Sequence, residues 1–253
     1  MPYVQTVLAD NPVNYWRLAD GVSVILHDIG SLPHHLVVTL SAAVLNGGYS
    51  GIEAGGLSVY ANQIADSDGD AVTSTANRSV EMWCYQLATR GGSEALLYAH
   101  GNAVANGSFQ MFILATGQVL FRAALAVAID PAILAVRAWH HLVGTYDGAL
   151  TKLYVDGNLK ATGASVGGSA VDNTVEIGAL SGGLEPYHGF LAEIAEYNFA
   201  LSAAQVLAHF NAVTQPVPSP ISGFISGGLT TSIAPSAELD LIYAAVHHVF
   251  PTT

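Results

Sequence analysis

Hydrolysis of a glycosidic bond with retention needs two carboxylates about 5 to 5.5 Å apart. The nearest approach to such a pair is Glu193-Ile-Ala-Glu196. A spacing of three turns the two side chains to opposite faces of a strand, so they cannot flank one bond, and solvated positions at the sheet surface or edge are expected for them. Asp66-Ser-Asp68-Gly-Asp70 sets carboxylates at alternate positions, the way a compact turn offers several oxygens to a hard cation. Gly69 stands fourth in that loop rather than sixth, and Asn77 takes the place of a bidentate Glu, so an ordinary turn before a strand is the alternative. No cofactor is expected, with calcium through Asp66, Asp68 and Asp70 as the alternative.

Sugar recognition asks for an exposed aromatic platform beside amides or carboxylates, and Tyr49, Tyr60, Tyr187 and His188 sit in loop-like contexts that could supply one. Loop tyrosines without a ligand are the alternative. Three histidine pairs, 34/35, 140/141 and 247/248, have metal-binding side chains, but neighbours in a strand point to opposite faces and cannot chelate one ion. For His140 and His141 the expectation is one packed and one at the surface. Cys84, the single cysteine, lies between Trp83 and Tyr85 in a strand-like run and reads as a small buried hydrophobe rather than a nucleophile. No Ser-His-Asp order or phosphate-cradling glycine loop is present, because Gly227-Gly228 is not followed by Lys and a helix.

The elements that would carry these residues are strands. Twenty-six glycines and short β-branched runs between turn signals predict an all-β chain. In Ser79 to Leu87, Val80, Met82 and Cys84 share one face and Glu81, Trp83 and Tyr85 the other; both are largely apolar, so the strand is expected to be covered on both sides. Thr116-Gly117, Asp147-Gly148 and Asp156-Gly157 mark tight turns between further strand pairs, and Val175 to Gly178 and Phe190 to Phe199 read as strands. The pattern then changes. Leu201-Ser202-Ala-Ala-Gln205-Val206 has a hydroxyl at the N-cap, Gln at N3 and apolar residues on either side, the signature of a short helix ending near His209 or Asn211.

The chain of 253 residues is long enough for one large sandwich. Only 10% of residues are charged, well below the roughly 25% usual for soluble domains, which points to burial in an assembly. A net charge of −12 repels a phosphate backbone and excludes nucleic-acid partners. The apolar stretches Leu36 to Leu45 and Ala123 to Val136 are too short to span a bilayer. Asp10, Asn11, Pro12, Asn14 and Arg17 near the start are unlike a secretory leader, so synthesis in a host cytoplasm is expected.

Thr214-Gln-Pro-Val-Pro-Ser-Pro220 reads as a semi-rigid linker between a sandwich over 1–213 and a C-terminal segment over 221–253. In that segment Leu239, Ile242, Val246 and Phe250 fit an amphipathic helix opened by Ser236 and Glu238 and are expected to form an assembly arm.

Trp139-His-His-Leu-Val-Gly-Thr-Tyr-Asp-Gly148 followed by Leu153-Tyr-Val-Asp-Gly157 resembles the laminin-G-like, concanavalin-A-like family of jelly-roll domains. Asn14-Tyr-Trp-Arg-Leu18, Ser67 to Val72, Ser79 to Trp83 and Gly189 to Ser202 occur in that family's order, over about residues 10 to 213. The resemblance implies an all-β fold of two stacked antiparallel sheets, a jelly-roll sandwich with a short C-terminal helix and an extension. Trp16, Trp83 and Trp139 should then be largely buried. Asp10 to Leu18 also looks like laminin-G-like domains of bacteriophage structural proteins. That likeness implies a non-catalytic virion protein, in capsid or tail, with itself and other virion proteins as partners. A carbohydrate-binding or adhesion module meeting a host glycan is the alternative, and a glycoside hydrolase the weakest.

Overall fold

A computed structural model describes residues 3–18, 25–33, 35–38, 57–60, 64–66, 77–88, 92–101, 109–123, 125–164, 174–180 and 184–213. In chain order the elements are α1 (Tyr3–Ala9), β1 (Asn14–Trp16), β2 (Ile25–Leu26), β3 (Leu36–Val38), β4 (Leu57–Tyr60), β5 (Ile64–Asp66), β6 (Arg78–Gln86), β7 (Ala95–His100) and β8 (Phe109–Ile113). They continue as β9 (Gln118–Ala123), β10 (Ala126–Ile133), β11 (Trp139–Tyr146), β12 (Leu150–Val155), β13 (Asn158–Ala164), β14 (Val175–Ile177), β15 (His188–Tyr197) and α2 (Ala203–Ala212). Tyr49, Asp68, Asp70, the proline-rich linker and the arm residues Leu239, Ile242, Val246 and Phe250 lie outside the described residues.

The strands form two antiparallel sheets. One runs β1-β15-β6-β11-β12-β13, with β4 also paired to β15; the other runs β10-β9-β8-β7-β14-β5-β3-β2. The main core lies between them and takes in Trp16, Val80, Met82, Cys84, Tyr98, Phe109, Phe121, Leu142 and Leu191. A second core covers the outer face of the first sheet, where Trp83, Val143, Tyr154 and Tyr197 meet Tyr3 and Val7 of α1 and Val206 of α2. Strand β6 is therefore apolar on both faces because both are covered, and the alternation of its side chains is the one its sequence predicts. Among the described residues no helix is long and apolar enough to cross a membrane.

Turn chemistry sets the register. Gly117 and Gly148 adopt positive φ, and at Asp156 and Gly157 both residues do, which suits a two-residue hairpin turn between twisted strands. The helix α2 opens as its sequence predicts: Ser202 caps it, accepting from the Gln205 amide, and the Gln205 side chain accepts from the Ser202 amide. Ser79 ties this closing motif to the sheet, its hydroxyl donating to the Phe199 carbonyl at 2.9 Å and accepting from the Leu201 amide at 2.8 Å.

One sequence expectation is corrected here, and one element has no counterpart in the sequence reading. Trp16 and Trp83 are fully buried, but Trp139 is only half-buried, because it starts β11 at the end of the sheet and lies tilted beside Tyr85 rather than between layers. The helix α1 has no signal of its own in the sequence; only Tyr3 and Val7, one turn apart, are buried, and its place comes from the sheet it covers.

Candidate functional site

The candidate acids Glu193 and Glu196 lie on β15, and a third, Glu81, lies on the adjacent β6, opposite Ala195. All three are buried, with at most 1% of their surface exposed. The solvated positions expected for Glu193 and Glu196 are thus corrected: the sheet that holds them is covered on both faces. They do point to opposite sides, as their spacing predicts. Glu193 is bonded to Tyr15 of the outer core, whereas Glu196 is bonded to Tyr98 of the core between the sheets. Pairing slips between Ala192 and Ala195, and Glu193 sits in that slip with φ 55°, a β-bulge that aims its carboxylate at Tyr15 and Arg17.

Each carboxylate is held by its own partners. Glu81 accepts from the Tyr197 hydroxyl, from His141 Nε2 at 3.1 Å and from His209 Nδ1 at 2.9 Å. His209 reaches Asp10 through its other nitrogen at 3.0 Å, so both ring nitrogens face acidic side chains, which favours the charged form of the ring. Burial raises the Glu81 carboxyl, but the charge and hydrogen bonds of His209 and His141 outweigh it and hold the group down at about 2. Burial lowers His209, and Glu81 and Asp10 more than offset this and raise it.

Glu193 is raised, chiefly by burial, against the opposing pull of Tyr15 and Arg17, with Glu81 adding to the rise. Arg17 reaches it at 3.3 Å. On the other side of the sheet, burial raises Glu196, but His100 at 2.8 Å, Tyr98 and the Arg78 charge together bring it below its usual range. These carboxylates lie under two helices or between two sheets. They are buried polar nodes that tie strands and helices together.

The sugar-binding candidates separate. Tyr187 departs from the expected exposed platform: it is 1% exposed and packs in the inter-sheet core, because its amide donates to Gly178 and draws the chain inward before β15. His188, half-buried, opens β15 and stands in register opposite Tyr60, the last residue of β4, so two of the four candidates are cross-strand neighbours. Asp66 ends β5 opposite Val175. Among the described residues there is no group of three or more His, Cys, Asp or Glu placed to hold a metal ion.

The histidine pair of β11 divides as expected. His141 is buried on Glu81, while His140 is half-buried and bonds Asp156 at 2.8 Å and the Ala135 carbonyl at 3.1 Å. Cys84 is fully buried, and burial pushes its thiol far up, as befits a hydrophobe rather than a nucleophile. The sequence reading missed Glu81, His209 and Asp10. An acid inside an otherwise apolar strand was the available signal at Glu81, since a charge on a covered face needs a partner.

No curated protein sequence matches the chain. Solved structures do match in fold. The ligand-binding domain of botulinum neurotoxin serotype D, solved with N-acetylneuraminic acid, superposes with a TM-score of 0.63 at 14% identity, over 81% of this chain and 52% of that one. The binding domain of Paraclostridial Mosquitocidal Protein 1 gives 0.63 at 15% identity, over 81% and 53%. A Trypanosoma rangeli sialidase gives 0.59 at 12% identity, over 79% and 32%. The chain thus spans about half the length of the two binding domains and a third of the sialidase. At these identities the likeness shows the fold alone. The model of a laminin-G-like family described as the concanavalin A-like lectin/glucanases superfamily matches residues 60–207, more than half of the sequence, and the chain belongs to that family.

Proposed function

We propose that the protein is a non-catalytic adhesion module that binds carbohydrate through the loops at the ends of its sandwich, carried on a virion as a capsid or tail component. One observation carries the non-catalytic part: Glu81, Glu193 and Glu196 are each buried and each neutralised or hydrogen-bonded by Tyr, His or Arg. A hydrolase on this fold needs two acids open to substrate, and the central strands spend theirs on structure. The carbohydrate part draws support from the fold shared with toxin binding domains, one of them solved with N-acetylneuraminic acid. His188 and Tyr60, brought into register at the start of β15, are the first residues to test for glycan contact.

The virion setting draws support from the sparse charge and from the likeness of Asp10 to Leu18 to phage structural domains. On this reading the partners are further copies of the chain and other virion proteins. Calcium assistance through Asp66, Asp68 and Asp70 is a separate element of the proposal. A glycan array probed with the full chain, with and without chelator, tests both. Binding to a defined glycan set that weakens in chelator supports the module and its calcium; binding that chelator leaves unchanged removes the calcium; absence of binding to any glycan removes the carbohydrate reading.

A further inference from the structure

On β10 the residues alternate from Ala126 to Pro131. Ala126, Ala128 and Asp130 turn inward and are buried, while Val127, Ile129, Pro131 and Ile133 turn outward, with Ile133 64% exposed and Ile129 40%. This is an edge strand of its sheet. Natural edge strands usually carry charge on the outside, and β10 carries none there: its only ionisable side chain, Asp130, is buried and caps the Ala132 amide at 2.9 Å. The stripe is also the open end of a longer apolar row. Ile129 pairs with Leu120, Leu120 with Phe112 and Phe112 with Leu96, all on the outer face of the same sheet, and the last three are buried.

The backbone of this edge is closed to an added strand. Pairing slips between Ile129 and Ile133, the Asp130 carbonyl already accepts from Gln118, the Ala132 amide is taken by Asp130, and Pro131 has no N–H. At Val127 the edge is blocked by β13, where a Cβ on Gly163 would come within 2.3 Å of the Val127 carbonyl oxygen. The occupant must therefore offer a row of side chains rather than a strand. An apolar helix does this.

We propose that the outward stripe of β10 is the docking surface for the C-terminal segment of a neighbouring copy of this chain, taken up through Leu239, Ile242, Val246 and Phe250. Three features select this occupant. The segment holds the i, i+3, i+7 series of an amphipathic helix, the geometry the closed edge demands. Arg122 stands in register opposite Val127 on the same face, and the segment carries Glu238 and Asp240 at the start of its apolar series, so the charges at one end of the contact are complementary. At −12 per chain, two copies repel wherever charged surfaces meet, and the outward face of β10 is free of charge.

The C-terminal segment leaves from α2, whose Leu207 and Phe210 lie against Gly157 at the β12–β13 turn, on the side of the sandwich where β13 packs along β10. Three prolines among residues 214–220 make a composition that, as an extended proline-rich spacer, would span about 20 Å. The contact is head-to-tail, an arm of one chain on the sheet of the next, which generates rings or filaments.

This inference rests on the reading of the chain as self-associating, and the experiment separates the two. Light scattering on the full chain is compared with Ile129→Asp/Ile133→Asp, which spoils the stripe, with Val246→Asp/Phe250→Asp, which spoils the arm, and with an equimolar mixture of the two. The proposal expects a wild-type assembly, two variants that fall to the mass of a single chain, and a mixture that regains a pair, because one intact arm then meets one intact stripe. A monomeric wild type overturns self-association and this inference together. An assembly that survives both variants, or a mixture that stays monomeric, overturns the arm-in-stripe contact alone.

Discussion

Glu81 and His209 meet at 2.9 Å across 128 positions of sequence, and through this contact the last helix of the sandwich is bonded to its central strand. His209 has its folded value raised above its ordinary 6.5, so its contribution to stability is complete below pH 6.5 and is lost as pH rises through the folded value. Glu81 has its folded value lowered from 4.5 to about 2, so its contribution is complete above pH 4.5 and is lost as pH falls toward 2. The difference in thermal midpoint between wild type and His209→Gln should accordingly be largest between pH 4.5 and 6.5 and shrink as pH is raised above that window. A difference that grows on going alkaline contradicts the pairing.

Replacing Glu81 by Gln leaves His209 and His141 facing a neutral amide in a fully buried site. Breaking a buried ion pair from one side costs about 3 to 5 kcal/mol. Urea unfolding of Glu81→Gln at pH 6 should show a loss of that size. A loss below about 1 kcal/mol, the worth of an exposed pair, contradicts the buried network.

How much of this was legible in the sequence depends on range. The two faces of β6, the turns at Asp147-Gly148 and Asp156-Gly157 and the capping box at Ser202 are local, set by a period of two or by a few neighbouring residues, and they are found where the sequence places them. Burial of Glu193 and Glu196 was not legible, because Tyr15 lies 178 positions from Glu193 and Tyr98 lies 98 from Glu196. A period-two count also cannot anticipate the bulge that aims Glu193. For the candidate site the sequence placed Tyr187 in a loop, where a core position between the sheets was decided by long-range packing.

The tryptophans should respond unequally to truncation. Trp83 is fully buried and packs against Tyr3, His141 and Phe210, so Trp83→Ala should cost about 3 to 5 kcal/mol. Half-buried Trp139 stands at the strand end, and Trp139→Ala should cost distinctly less. Denaturant midpoints of the two variants check the order, and a larger loss at Trp139 would place the outer core wrongly.

At Gly144 the sheet leaves no room for a side chain. An added Cβ would fall 2.3 Å from the ring of Phe121, which is itself held edge-on to Phe109 at 4.9 Å. Gly144→Ala should therefore destabilise by about 1 to 3 kcal/mol through overpacking, read as a lower denaturant midpoint with an unchanged slope. A neutral substitution would mean that the two sheets are not in contact at that position.

The central claim is that the sandwich binds glycans without cutting them. Native mass spectrometry of the full chain, incubated with a panel of defined oligosaccharides that includes N-acetylneuraminic acid-capped chains, reads both halves of the claim in one spectrum. The account predicts adducts of the protein with at least one member of the panel at its intact mass, with every free oligosaccharide unchanged after prolonged incubation. Shortened oligosaccharides that disappear in Glu193→Gln would contradict it, and so would a spectrum with no adduct for any member of the panel.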